Sequence, residues 1–101
     1  MSNMNAHAIL SAAAATIDDR AAERDIEQER SMARTVQAFN TLTGHELTET
    51  DGWLFMVVLK AARATAGAFQ ADDWIDMAGY VGLAGECAAK GADCLDDAEG
   101  A

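Results

Sequence analysis

Asp73 and Asp76 stand three residues apart, and Glu46 and Glu49 repeat that spacing upstream. On a helix, residues three apart share a face, so each pair can present two carboxylates together. Carboxylates converging from facing helices of a bundle hold a hard cation such as Mg²⁺ against a polyphosphate, because the ion takes oxygen ligands while keeping several waters. The set this picks out for Mg²⁺ is Glu49, Asp73 and Asp76. The same acids have a plainer use. Asp72 and Asp73, like Glu49 and Asp51, fall where a helix begins, and capping and the helix dipole favour negative charge there. Asp76 lies a turn further in, beside apolar neighbours, where capping no longer accounts for it.

A cationic set stands opposite these acids. Lys60 and Arg63 are three apart near the end of an apolar segment, and Arg30 and Arg34 are four apart upstream. Such residues grip phosphate, Arg through its bidentate fork. They serve equally to complement a helix C-terminus or to pair with Asp73 or Asp76. Among the aromatics Trp53, Phe55, Phe69, Trp74 and Tyr80, a core role is the first expectation, and stacking on a base, with Trp53 and Tyr80 as the candidates, is the second. His7 and His45 have no partner pattern. Cys87 and Cys94 are seven apart, about 10 Å along a helix, too far for a disulfide, and two thiols do not make a zinc site. There is no Gly-x-Ser-x-Gly, phosphate-binding glycine loop or His-Glu-x-x-His, so nucleophilic and zinc catalysis have no support.

The elements that must position these residues read as helices. Ile9, Leu10, Ala13 and Ile17 recur at helical spacing in an Ala-rich stretch that Asn5 or Asn3 can cap. From Asp18 to Arg30 the chain is dense in charge of both signs, either a solvated continuation of that helix or a loose arm. Ser31 is placed to cap a further helix carrying Met32, Val36, Phe39 and Asn40, which Gly44 ends in the left-handed region. Thr48, with Asp51 three residues on, forms the pattern of a capping box before Gly52–Ala66, a segment apolar on every side, with Gly67 as its stop. A last helix starts at Asp72 or Asp73 and runs to about Lys90. Its Gly79, Gly82 and Gly85 each cost about 1 kcal/mol against Ala, which close helix–helix approach would offset. The expected architecture is an all-α single domain over 1–101, a small bundle of three to five helices. It comprises a helix and charged arm over 1–30, a helical core over 31–90 and a frayed acidic tail over 91–101.

Composition bounds the partners. The chain has 101 residues, no Pro, seven Lys+Arg against seventeen Asp+Glu, and a formal net charge of −10. So acidic a chain has little material for the basic face that duplex nucleic acid or an anionic membrane requires. The charge is uneven, at −3 over residues 1–30, 0 over 31–71 and −7 over 72–101. No leader pattern opens the sequence, and its longest strongly apolar run, Trp53 to Leu59, is far short of the ~20 residues that span a bilayer, so a cytoplasmic location is expected. A segment apolar all round in so short a chain implies that a second copy covers part of it, making the protein a homo-oligomer.

The run Glu29-Arg30-Ser31-Met32, then Phe39-Asn40, Thr43-Gly44, Leu47-Thr48-Glu49, Gly52-Trp53, Phe55-Met56, Leu59-Lys60 and Arg63, closing on Asp72-Asp73, Asp76, Tyr80 and Leu83-Ala84-Gly85-Glu86, resembles a family of small phage and prophage proteins known only as a domain of unknown function. The segment Asp72 to Tyr80 also looks like the last helix of MazG-like nucleotide pyrophosphohydrolases. In those, an E-x-x-E pair and a later E-x-x-D pair hold Mg²⁺. The resemblance implies that Glu46 and Glu49 match the first pair and Asp73 and Asp76 the second, with Asp in place of Glu.

Two functions follow as expectations. One is a phage-type nucleotide-binding protein with Arg30, Arg34, Trp53, Lys60, Arg63 and Tyr80 at the ligand. If catalytic, it would be an Mg²⁺-dependent pyrophosphohydrolase. The other is a non-catalytic counter-defence factor, either a sponge for a signalling nucleotide or an adaptor that inhibits a host protein through its acidic end.

Overall fold

The computed structural model describes residues 4–91, with residues 20–30 described as backbone alone. It is all-α, with three helices and no strand among the described residues: α1 Ala6–Thr43, α2 Glu49–Ala64 and α3 Ala71–Ala89. Residues 92–101, which hold Cys94 and nearly all of the expected acidic tail, lie outside the described residues.

α1 is one helix of 38 residues, so the charged stretch continues it and Ser31 is an interior residue rather than a cap. The local sequence explains this. No Gly or Pro interrupts the chain between Asn5 and Gly44, and Ala, Glu, Gln and Arg dominate the middle, all good helix formers. The ends are as expected from the residues. The Asn5 side chain accepts from the Ala8 N–H at 2.8 Å. Gly44, at φ 78°, donates its N–H to the Asn40 carbonyl at 2.8 Å.

The five-residue connection to α2 is clamped chiefly by the Asn40 amide, with the Thr43 hydroxyl accepting from the His45 N–H at 3.3 Å. Asn40 Nδ2 donates to the Leu47 carbonyl, and the Leu47 N–H donates to Asn40 Oδ1, both at 2.9 Å. α2 then opens with the expected capping box. The Asp51 N–H donates to Thr48 Oγ1 at 3.1 Å, and the Thr48 N–H donates to Asp51 Oδ2 at 2.9 Å. Its end differs from the expected Ala66–Gly67 stop. α2 finishes at Ala64, and the Thr65 hydroxyl donates to the Ala61 carbonyl at 2.9 Å. Gly67 has no positive φ and is not a left-handed cap. α3 starts at Ala71 without a side-chain cap, with Asp72 and Asp73 in its first turn.

A six-residue connection, 65–70, turns α3 back along α2, and these two helices form the tightest pair, with α1 packed more on α3 than on α2. The core is thin. Ala13, Val36, Ala64, Ala84 and Cys87 are buried, and among the described residues no large side chain is fully enclosed. Small residues let the backbones come together where larger ones would fill a wider gap. The closest approach is at Gly52. A Cβ there would stand 2.6 Å from Met32 Sδ and 2.8 Å from Val36 Cγ2. The α3 glycines do less than expected. Ile17 of α1 lies 3.9 Å from the Cβ positions of Gly79 and Gly82, ordinary contact, and among the described residues nothing lies within 4 Å of that of Gly85.

Candidate functional site

The α2–α3 seam is fixed by two cross-links. Lys60 Nζ lies 3.0 Å from Asp76 Oδ2, with side chains 17% and 25% exposed. Trp53 and Tyr80 stack with centroids 5.9 Å apart and planes 26° from parallel. Trp53 is seven residues before Lys60 on α2, about 10 Å along the axis, and Tyr80 is one turn beyond Asp76 on α3, about 6 Å. Ion pair and aromatic pair therefore share one seam. The position of Asp76, a turn inside α3, is explained by its contact. It is the half-buried counter-charge of Lys60, and neither charge could be left alone there cheaply.

Arg63 lies one turn beyond Lys60 towards the connection and is exposed. The antiparallel register of the two cross-links puts it level with Asp73, which is half-buried, yet the two form no ion pair. Arg63 leaves the end of the seam positively charged on the α2 side. Arg34 is exposed on α1, and the Arg30 side chain lies outside the described residues.

The expected Mg²⁺ set is not brought together. Glu49 opens α2, 11 residues before Lys60 and hence about 16 Å from the level of Asp76. By the same register it sits level with Ala84 and Cys87, near the other end of α3. It is buried, at 7% exposed, and already has a bonding partner. Glu46 lies in the 44–48 connection, exposed and before the cap, so it shares no helical face with Glu49. Among the described residues no three His, Cys, Asp or Glu side chains converge as a metal-holding group. Within one chain, Glu46 and Glu49 do not share an ion with Asp73 and Asp76.

Two residues that seat α2 against α1 are not legible as such. In sequence Asn40 reads as one of a helical stripe with Met32, Val36 and Phe39, whereas its amide clamps the backbone leading into α2. Gly52 was placed inside the α2 segment without a role, and its contact is with a residue stripe 16 to 20 positions away. Neither has a local signal in sequence.

Fold and seam together define a small all-α protein whose polar centre is a cation–carboxylate pair flanked by stacked aromatics between antiparallel helices. The chain belongs to the family described as a domain of unknown function, DUF6378, whose profile matches residues 8–88. No curated protein gives a significant match, and neither does any solved structure. No helix among the described residues is long and apolar enough to cross a membrane.

Proposed function

We propose that the protein binds a nucleotide at the open end of the α2–α3 seam, as a small phage-type accessory protein of the bacterial cytoplasm that works as an assembly of its own copies. The observation that carries the binding reading is the exposed Arg63 one turn from the half-buried Lys60–Asp76 pair, with Trp53 and Tyr80 further along the same seam. Arg63 offers a planar fork of donors to phosphate oxygens. Lys60 adds a point charge that Asp76 holds in place, and the Trp53–Tyr80 pair offers an aromatic edge to a base. The phage setting rests on the resemblance carried by Glu29 to Lys90.

Binding without turnover is the form of this reading that the side chains favour, because Glu49 lies about 16 Å from the level of Asp76 and leaves Asp73 and Asp76 without a third carboxylate among the described residues of one chain. A signalling-nucleotide sponge meets that description better than a MazG-like pyrophosphohydrolase. The test is calorimetric titration of the full chain with nucleoside triphosphates and cyclic nucleotides, with and without Mg²⁺, followed by chromatography of the nucleotide. Saturable binding with the ligand recovered intact is expected. Release of pyrophosphate that disappears in Asp76→Ala would establish the enzyme instead. Absence of binding across the panel, with a host protein co-purifying, would leave the adaptor.

A further inference from the structure

We infer that a second copy of the chain docks on the outer face of α2, with the two helices antiparallel about a two-fold axis between Phe55 and Val58. This rests on the self-association part of the proposed function and adds the face and its register.

α2 is divided lengthwise. Trp53, Met56, Val57, Lys60, Ala61 and Ala64 turn towards the rest of the chain, whereas Leu54, Phe55, Val58 and Leu59 are 47%, 67%, 63% and 39% exposed. The latter recur at i, i+1, i+4 and i+5 and so form one contiguous face. The other exposed large apolar residues form smaller groups, Phe39 with Leu42 near the end of α1 and Trp74 with Val81 on α3, while Leu10, Leu47 and Phe69 stand apart. The four on α2 present roughly 400 Å² of apolar surface, about half of the ~800 Å² each partner gives to a standard interface, a suitable centre for a polar rim.

Charge selects the occupant and the direction. Residues 31–71 carry no net charge within a chain of −10, so two copies meeting at α2 avoid the repulsion their acidic ends would bring. An anionic lipid surface has no such match. Asp51 lies in the first turn of α2 and Arg63 in the last. Antiparallel pairing opposes Phe55 to Val58 of the partner subunit and Leu54 to Leu59 of the partner subunit, and it brings Asp51 towards Arg63 of the partner subunit. Parallel pairing would set like charges and like dipole ends together.

Sedimentation equilibrium of the full chain without nucleotide tests this, with helical circular dichroism confirming that each variant is folded. A dimer is expected for the wild-type chain and for Val81→Asp on α3, and a monomer for Val58→Asp and Phe55→Ser. Arg63→Glu is expected to weaken the dimer about three- to tenfold, through loss of two symmetry-related surface pairs. A monomeric wild type at 100 μM would overturn both the self-association and the face. A dimer that survives Val58→Asp would overturn the face alone, and an unchanged affinity in Arg63→Glu would overturn the antiparallel register.

Discussion

Lys60 and Asp76 illustrate how a charged pair reads differently in sequence and in space. Each was a candidate ligand for something else, phosphate for one and Mg²⁺ for the other, and each is first of all the partner of its opposite. Removing one charge leaves the other half-buried and unpaired. Asp76→Asn is therefore expected to cost about 2 kcal/mol in urea unfolding, and Lys60→Met with Asp76→Leu together should recover most of that loss. A double-mutant cycle with no coupling would contradict the pairing. Gly52 is the second residue with a sharp consequence. Val36 is β-branched, 4% exposed and 2.8 Å from the missing Cβ, so it has no room to yield. Gly52→Ala is expected to lower stability by about 1–3 kcal/mol through overpacking, read as a fall in the urea midpoint. A sequence shows Gly52 only as a weak helix residue, because the atoms that require it belong to α1.

At the scale of elements, the termini were legible and the continuity was not. Asn5, Gly44 and the Thr48–Asp51 box are local patterns, and their hydrogen bonds involve residues within four positions. By contrast, Ser31 has the chemistry of a cap but sits in a stretch without Gly or Pro, where helix propensity on both sides carries α1 through it. Gly67 is not the stop: α2 ends at Ala64, with Thr65 as its cap and the Thr65 N–H on the Ala61 carbonyl, and Gly67 falls in the connection that follows. The α3 glycines give the third prediction. No described residue lies within 4 Å of where a Gly85 Cβ would go, so Gly85→Ala should raise stability by about 0.5–1 kcal/mol as helix propensity improves. Thermal unfolding would register this as a Tm rise of roughly 2–8 °C for a domain of this size. A loss of stability would mean that a neighbour outside the isolated chain occupies that space.

For the whole molecule, the fold class and the neutral middle were readable from composition and periodicity, whereas the arrangement of the site depended on register. Antiparallel packing of α2 and α3 joins Lys60 to Asp76 and Trp53 to Tyr80, and the same register carries Glu49 away from the aspartates. Spacing along the chain specifies which residues share a helix face. It does not specify which level of the neighbouring helix that face meets. The thin core has the same origin, since Ala, Gly and Cys allow close helices but enclose little, and the outer face of α2 remains apolar and exposed.

The proposed binding seam is tested most directly by Trp53 fluorescence in a Trp74→Phe background as the nucleotide that binds in the calorimetric panel is added. The expected result is a saturable change that requires at least tenfold more nucleotide once Arg63 is replaced by Ala, the loss expected for one charge-assisted phosphate contact. An emission that stays flat, or a titration that Arg63→Ala leaves in place, would contradict nucleotide binding at this seam.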